Sequence, residues 1–174
     1  MMLNEGASAA PIPMPCAPLA IVWHSRTGAA QAMAHAAAEE AGCHAALIAC
    51  DQASADDLLC ARGYLFVVPE NLGSLSGAMK EMFDRLYYPL LGRIEGRGFA
   101  TLIAAGSDGR GAQAQIERIV TGWRLRRVAA PLIVNLGAQT AEAILAPKTV
   151  PAPALAQCRA LGAALGEGLA LGVF

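Results

Sequence analysis

The sequence lacks the spacing of cysteine and histidine that a metal site needs. Its five cysteines form no Cys-x-x-Cys pair, and none of the three histidines stands at ligand spacing to them. This pattern excludes a zinc ribbon or zinc finger and predicts no bound metal. The odd count and the scattered positions also argue against a disulfide framework. We therefore expect a reducing, cytoplasmic environment in which most thiols act as small apolar side chains.

An excess of charge of one sign is also missing. Thirteen Lys and Arg face 14 Asp and Glu, for a formal net charge of −1. No basic surplus draws the chain to nucleic acid, and there is no acidic surplus either. Long apolar runs are absent too, since Gln157, Arg159 and Glu167 interrupt the nearest one, residues 152–174. We predict neither a nucleic-acid partner nor a membrane partner.

The N-terminal segment lacks the features of a signal peptide. Residues 1–18 carry one charge, Glu5, and neither a positive start nor a continuous apolar run. Four prolines would break any helix there. We predict a disordered tail over Met1–Pro18, followed by a single domain over residues 19–174.

The rest of the chain alternates between short apolar runs and helical segments. The apolar runs predict strands at Leu19–Trp23, His44–Cys50, Tyr64–Val68, Phe99–Ala105 and Val128–Asn135. The helical segments are Gly28–Ala41, Ala53–Ala61, Ser76–Leu91, Gly111–Trp123 and, roughly, Pro153–Leu171. Such alternation predicts a doubly wound α/β fold, because a parallel crossover needs a helix-length connection. Five strands fit the order 2-1-3-4-5, in which ligands bind at the strand carboxyl ends.

The loop after the first predicted strand has the composition of a phosphate site. It opens a helix and brings two hydroxyls together with small residues that let an anion approach the backbone. Lysine and the Gly-x-x-x-x-Gly-Lys pattern are absent, which favours a monophosphate ester over a nucleoside triphosphate. The alternative is that the hydroxyls only cap the helix. The candidate residues are Ser25, Arg26, Thr27, Gly28, Ala29 and Ala30.

Two further loops follow the third and fourth predicted strands and also precede helices. The earlier one has the turn-forming residues of a tight, exposed backbone, whose amides can read a flat heteroaromatic edge: Pro69, Glu70, Asn71, Leu72, Gly73 and Ser74. The later one has glycines that permit close approach to a ligand: Ser107, Asp108, Gly109, Arg110 and Gly111. An ordinary turn and a mobile loop without a ligand are the respective alternatives.

These residues resemble a known family. Ser25-x-Thr27-Gly28 after an apolar strand resembles the flavodoxin phosphate loop. The run from Pro69 to Lys80, with Phe83-Asp84 soon after, resembles the signature loop and helix of NADPH-dependent FMN reductases and of NAD(P)H:quinone oxidoreductases. The Ala105-Gly106-Ser107 turn resembles their third flavin loop. The likeness extends in element order over residues 19–174 and implies a flavodoxin-like fold.

The resemblance implies FMN as the cofactor and a role for each loop. Residues 25–30 would hold the phosphate, residues 69–74 would line the isoalloxazine ring, and residues 107–111 would close over it. The flavin would do the redox chemistry, so no catalytic side chain is needed. The implied activity is an FMN-dependent oxidoreductase that passes electrons from NAD(P)H to a small acceptor such as a quinone or a flavin. The resemblance also implies a homodimer or homotetramer.

The sequence departs from the flavodoxin pattern in ways that favour a reductase over an electron carrier. Ala30 stands where many flavodoxin loops carry another hydroxyl, so that one contact to the phosphate is missing. The two departures that favour a reductase are the absence of an aromatic residue in the two later loops and the near-neutral charge, since flavodoxin carriers are usually strongly acidic. Tyr87, Tyr88 and Trp123 could approach a flavin from a second subunit, but core or interface positions suit them better. A flavodoxin-type carrier reduced by a protein partner and a cofactor-free binding module both stay open as alternatives.

Two other enzyme classes fit less well. Ala105-x-Ser107-x-Gly109 resembles a nucleophile elbow, but all three histidines precede Ser107, against the chain order of an α/β-hydrolase. Gly109-x-Gly111-x-x-Ala114 fits a dinucleotide fingerprint loosely, but lacks the acidic residue about twenty positions later. His24 borders the first loop, yet we assign it no catalytic role.

Overall fold

A parallel β-sheet forms the centre of the structure, a computed structural model that describes residues 16–174. Its strands are β1 (Leu19–Trp23), β2 (Ala45–Ala49), β3 (Gly63–Asn71), β5 (Gly98–Ala105), β6 (Arg126–Arg127) and β7 (Leu132–Asn135), and the short β4 (Ser74–Leu75) pairs antiparallel with β3. The order is β2-β1-β3-β5, and both β6 and β7 then pair with β5. Because β6 and β7 share one position, this is the predicted order of five parallel strands.

Helices cover both faces of the sheet, as the alternation of elements predicts. They are α1 (Ala29–Ala41), α2 (Ala55–Cys60), α3 (Gly77–Leu90), α4 (Arg110–Gly122), α5 (Ala141–Leu145) and α6 (Ala152–Ala170). Helices α1 and α6 share one apolar core with one face of the sheet, and α2, α3 and α4 share the other. The doubly wound α/β fold is therefore confirmed, while α5, β4 and β6 have no counterpart in the sequence prediction.

The strands are apolar throughout because both of their faces are buried. In β3, Leu65 and Val67 face the α1–α6 core, whereas Phe66 and Val68 face the opposite core. All eight residues of β5 are buried. A half-solvated strand would alternate polar and apolar residues, so the continuous apolar runs reflect a sheet covered on both sides.

Helix α1 is held unusually close to α6 by small residues. A Cβ added at Gly162 of α6 would lie 2.1 Å from the carbonyl oxygen of Ala37 in α1. Buried alanines form the contacting face of α1. This close packing leaves α1 little freedom to shift, and it fixes where the helix N-terminus points.

The last predicted strand, Val128–Asn135, is wrong in its extent. In the structure only its second half, Leu132–Asn135, is a strand (β7), while the short β6 precedes Val128, and Pro131 lies in the gap between the two. Proline has no N–H to donate to the sheet and interrupts the pairing. Strand β3 departs from prediction in the other direction: it continues past Pro69 to Asn71 and turns back into β4.

The predicted tail over Met1–Pro18 lies mostly outside the described residues. Within them, the Pro18 carbonyl accepts hydrogen bonds from the N–H groups of Arg62 and Gly63, at 2.7 and 3.1 Å. Cys16 and Cys60 form a disulfide with their Cα atoms 5.5 Å apart, a normal separation for such a bond. The expectation of scattered, unpaired thiols is thus wrong for these two. Their separation of 44 residues gives no signal in the sequence.

The other three cysteines are free, and two of them are buried as small apolar side chains. Burial raises the pKa of the Cys50 and Cys158 thiols to about 11, so both stay protonated at neutral pH. Over residues 16–174, no helix combines the length and the apolar character needed to cross a membrane.

Candidate functional site

A cavity of about 330 Å³ opens at the carboxyl edge of the sheet. Residues from all three loops singled out in the sequence line it, together with Ala104 and Ala105 at the end of β5. A fourth segment, after β7, forms the remaining wall. The volume lies in the range of small-molecule sites, and the position is where doubly wound sheets bind ligands.

The first loop brings the N-terminus of α1 to the cavity. Gly28 adopts a left-handed conformation (φ 93°, ψ −20°) immediately before the helix, and within residues 16–174 no side chain accepts a hydrogen bond from the first-turn N–H groups of α1. Ser25 Oγ accepts a hydrogen bond from the Gly28 N–H at 3.1 Å, which leaves its own O–H proton free for a ligand oxygen. The helix end is therefore a positive, donor-rich part of the cavity wall. Five predicted residues line the cavity here: Ser25, Arg26, Thr27, Ala29 and Ala30.

The second loop is the tip of the β3–β4 hairpin. Leu72 and Gly73 form its turn, and both have positive φ, 53° and 69°. Such a turn favours Asn or Gly at its first central position, so a leucine there carries backbone strain. The cavity is lined by Pro69, Glu70, Asn71, Leu72 and Gly73. Ser74, the last predicted residue of this loop, instead bonds Gln115 of α4 through its hydroxyl.

The side chain of Glu70 caps helix α4. One carboxylate oxygen accepts from the Gly109 N–H at 2.6 Å, and the other accepts from the N–H groups of Gly111 and Ala112, at 3.0 and 3.3 Å. These donors are therefore not available to a ligand. Sequence reasoning assigns Glu70 to the ring through its backbone and misses this role, because the partner amides lie about 40 residues away.

Most of the third loop lies outside the cavity. Of the five predicted residues, Ser107 lines it, whereas Asp108 and Arg110 pair with each other at the surface. Gly109 and Gly111 start α4, and a Cβ at Gly111 would lie 2.0 Å from the carbonyl oxygen of Gly73. The two glycines thus let the hairpin pack closely on α4. Contact of residues 108–111 with a ligand stays a prediction, and their location outside the cavity does not support it.

Sequence reasoning misses the fourth wall, which comes from residues 136–148. Leu136, Ala138 and α5 line the cavity, and the Lys148 N–H donates to the Thr27 carbonyl at 2.8 Å. The Asn135 amide donates to the carbonyl of Ser107 and joins this wall to the third loop. The one local signal was Thr140, whose hydroxyl oxygen accepts from the Ala143 N–H at 3.2 Å as an N-cap. At five residues, α5 is too short to show helical periodicity.

The aromatic residues considered above lie away from the cavity. Trp123 is fully buried in the core, where its indole N–H donates to the Tyr87 carbonyl at 3.0 Å. The core interpretation of Trp123 is thereby supported. Tyr87 packs against the same core, and Tyr88 is exposed. Among the residues lining the cavity there is no Phe, Tyr or Trp.

His24 lies beside the first loop, in a neighbouring depression that Trp23 and Cys50 also line. Its Nδ1 atom is buried without a hydrogen-bond partner in the described part of the chain. Burial lowers the pKa of His24, and the nearby Arg26 lowers it further, so the imidazole is neutral at neutral pH. Among residues 16–174, no group of three or more His, Cys, Asp or Glu is placed to hold a metal ion.

Comparisons with known proteins agree with this architecture. No protein-family model matches the sequence. A flavodoxin of Aquifex aeolicus is 31% identical over 105 residues, which cover 58% of this chain and 57% of that relative. The match thus spans little more than half of the relative's length.

Solved structures match over much more of the chain. A flavodoxin from the domain Archaea superposes with a TM-score of 0.69 at 16% identity, over 87% of this chain and 98% of its own. A flavodoxin, WrbA-like protein from Agrobacterium tumefaciens gives a TM-score of 0.65 at 22% identity, over 88% and 97%. With its parallel sheet order, helices on both faces and cavity at the strand carboxyl ends, the protein has a flavodoxin-like fold.

Proposed function

We propose that this protein binds FMN in the cavity and passes electrons from NAD(P)H to a small acceptor such as a quinone or a flavin. One observation carries the proposal: the uncapped N-terminus of α1, preceded by a left-handed glycine, opens into a cavity at the ligand-binding edge of a flavodoxin-like sheet. A helix N-terminus of this kind binds a phosphate through its free amides and its dipole.

The donors at this end fit a phosphate monoester. The first-turn amides of α1 and the hydroxyls of Ser25 and Thr27 are all neutral donors, and Arg26 adds one positive charge to the cavity wall. No Gly-x-x-x-x-Gly-Lys loop is present to hold a triphosphate with magnesium. The α4 N-terminus does not compete, because Glu70 already fills it. The phosphate of FMN is therefore assigned to the α1 end.

The remaining walls suit a planar, largely apolar ring. Leu72 and the exposed backbone of the hairpin lie on one side, and the apolar residues of the fourth segment lie on the other. When bound, the flavin would supply the redox chemistry between the nicotinamide and the acceptor. The protein binds and orients it, and no side chain is assigned as a general acid or base.

A flavodoxin-type electron carrier is the second candidate. It is favoured by the sequence match to a protein named flavodoxin. The near-neutral charge and the lack of aromatic residues in the cavity wall favour the reductase instead. The two functions differ in one observable property: a reductase accepts electrons directly from a nicotinamide, and a carrier needs a protein donor.

The test is a titration of the apo-protein with FMN, followed by flavin fluorescence, with riboflavin as the comparison ligand. We expect 1:1 binding and a clear preference for FMN, because the α1 end recognises the phosphate. Addition of NADPH or NADH without oxygen should then bleach the flavin absorbance. Binding without bleaching would favour the carrier, and no binding of either flavin would favour a cofactor-free module.

A matched pair of glycine variants locates the phosphate. Gly28 and Gly42 flank the two ends of α1, and both have positive φ, 93° and 55°. A Gly28→Val variant should lose at least tenfold in FMN affinity, because the new side chain strains the loop and blocks the approach of an anion. Gly42→Val also places a branched residue at a positive φ, but far from the cavity, and it should bind FMN like the wild type. Equal losses in both variants would contradict the assignment.

A further inference from the structure

Three large apolar side chains are exposed at the mouth of the cavity. Leu72 on the hairpin is 104% exposed, and Ile144 and Leu145 on α5 are 51% and 69% exposed. All three line the cavity. Apolar side chains left open to water around one cavity indicate a surface that a ligand covers.

The hairpin and α5 stand on opposite sides of the cavity. Strand β5 lies between β3, which carries the hairpin, and β7, which leads to α5. The hairpin packs against α4, where the Leu75 N–H donates to Gln115, whereas the segment that follows α5 bonds the loop that leads into α1. Because α4 and α1 cover opposite faces of the sheet, a flat ligand seated at the end of β5 would meet Leu72 from one side and α5 from the other.

Helix α5 does not hold this position on its own. It has five residues, too few for an independently stable helix. The Lys148 ammonium donates to the carbonyl oxygens of Ala143, Ile144 and Ala146, at 2.5, 3.0 and 2.5 Å. The backbone N–H of the same residue donates to Thr27 in the first loop, at 2.8 Å. Lys148 thus ties the C-terminal end of α5 to the loop assigned to the phosphate.

Leu72 keeps its place at a cost in backbone strain. Its φ of 53° lies in the left-handed region, which asparagine and glycine tolerate and leucine does not. Because the Leu72 side chain is fully exposed, no burial in the protein offsets this backbone strain. Strain without a packing benefit is expected where a side chain serves a ligand.

We propose that α5 is the second wall of the ring site: Ile144 and Leu145 pack on the flavin ring across the cavity from Leu72, and Lys148 is the positioning residue that holds them there. The proposal rests on the proposed binding of FMN. It assigns to α5 the covering role that the family resemblance gives to residues 107–111, of which Ser107 lines the cavity. Aliphatic side chains suit the ring because they share its low polarity, whereas the ribityl chain and the phosphate need polar partners.

Binding of three flavins to serine variants tests the wall. FMN, riboflavin and lumiflavin share the ring, and lumiflavin carries neither the ribityl chain nor the phosphate. Ile144→Ser and Leu145→Ser should each weaken binding of all three by about tenfold, because each removes apolar contact with the ring. Leu171→Ser is the control, since Leu171 is also exposed but does not line the cavity. Its affinities should match the wild type.

Each departure from this pattern overturns a stated part of the proposal. If Ile144→Ser and Leu145→Ser bind all three flavins as Leu171→Ser does, α5 is not a wall of the site. If they lose affinity for FMN and riboflavin but not for lumiflavin, the contact is with the ribityl chain and the ring assignment is wrong. If the wild type binds no flavin, the proposed function fails together with this inference.

Two further variants separate a ligand role from a purely structural one. Leu72→Asn should raise the urea midpoint by relieving backbone strain and yet weaken lumiflavin binding several-fold. A structural residue would shift stability and binding in the same direction, and that result would overturn the role of Leu72. Lys148→Met should speed hydrogen exchange across residues 141–146 and weaken lumiflavin binding, and Lys148→Arg, which keeps the N–H donors, should restore both. If hydrogen exchange and lumiflavin binding are both unchanged in Lys148→Met, Lys148 does not position α5.

Discussion

The N-termini of α1 and α4 are alike in local structure and opposite in what they offer a ligand. Both helices have 13 residues, and both begin after a left-handed glycine at the carboxyl end of a parallel strand. At α1 no side chain of the described residues accepts from the first-turn N–H groups, and the first turn lines the cavity. At α4 the carboxylate of Glu70 accepts three backbone N–H bonds. The same local motif is thus open to the cavity at α1, whereas at α4 it is bonded to another part of the protein.

The glycines that precede the two helices also differ, in how closely other residues pack around them. A Cβ at Gly109 would lie 2.4 Å from Ile133 Cγ2 and 3.1 Å from the Cβ of Ala105. At Gly28 the nearest atom within reach is the Lys148 carbonyl oxygen, at 3.9 Å. The α4 end is packed from inside the protein, and the α1 end leaves space for a ligand. A left-handed glycine before a helix therefore does not by itself identify a phosphate site.

The largest expected effect is on folding stability, when alanine replaces the glycine before each helix. Gly109→Ala adds a steric clash to the cost of a left-handed alanine, and we expect it to destabilise the fold by about 3 kcal/mol. Gly28→Ala carries the backbone cost alone, about 1 kcal/mol. Urea denaturation of both variants measures the difference. Equal losses would mean that the α4 end is no more tightly packed than the α1 end.

Removal of the Glu70 carboxylate should leave the N-terminal N–H groups of α4 without a side-chain acceptor, as those of α1 are over residues 16–174. Glu70→Ala leaves three amides without their acceptor and should cost about 2 kcal/mol of folding free energy. Glu70→Gln keeps one side-chain oxygen as an acceptor, and about half of that loss is expected. The measurement is the denaturation midpoint in a buffer free of phosphate. A Glu70→Ala variant as stable as the wild type would show that the cap contributes nothing to the joint.

The hairpin tip gives a prediction for ligand binding. Gly73→Val should weaken FMN binding by about tenfold, because a branched side chain obstructs approach to the backbone of the turn. Gly92→Val is the matched control: both glycines have positive φ, 69° and 76°, and a Cβ at either would meet no atom within 4 Å. Gly92 does not line the cavity. If Gly73→Val binds FMN as tightly as the wild type, the flavin ring does not lie against this loop.

The smallest expected effect concerns His24, beside the α1 end. The folded protein holds the pKa of His24 below its ordinary value of 6.5, chiefly by burial. The unfolded chain takes up a proton as the pH falls through 6.5, while the folded state resists it, so stability decreases there and levels off below the folded pKa. His24→Gln should flatten this part of the curve. The change will be small, because the ring is partly exposed to solvent. Urea midpoints between pH 8 and pH 5 measure it, and parallel curves would contradict it.

Much of the fold is predictable from the sequence because its signals are local. An apolar run such as Leu65–Val68 specifies a strand buried on both faces, and helix-length connections between such runs require parallel pairing. The first loop is recognisable as a candidate for the same reason, since its hydroxyls and glycine are contiguous. The break at Pro131 was visible in the sequence, but the predicted strand still ran through it.

Other features depend on residues far apart in the chain and left no local signal. The disulfide joins Cys16 to Cys60, and Lys148 meets the loop of Thr27. Helix α5 is too short for periodicity, and Lys148 bonds the carbonyl oxygens at its C-terminal end. The exposed state of Leu72 follows from a hairpin turn that Asn71-Leu72-Gly73 only partly suggests.

The sequence by itself determined the alternating elements, the buried faces of the strands and the presence of glycine-led helix starts at one edge of the sheet. It could do so because each is set by residues that are neighbours in the chain. The tertiary structure alone decided which helix start stays open. That choice depends on a carboxylate placed 39 residues before Gly109, brought to α4 by the pairing of β3 with β5 and by the hairpin that follows β3.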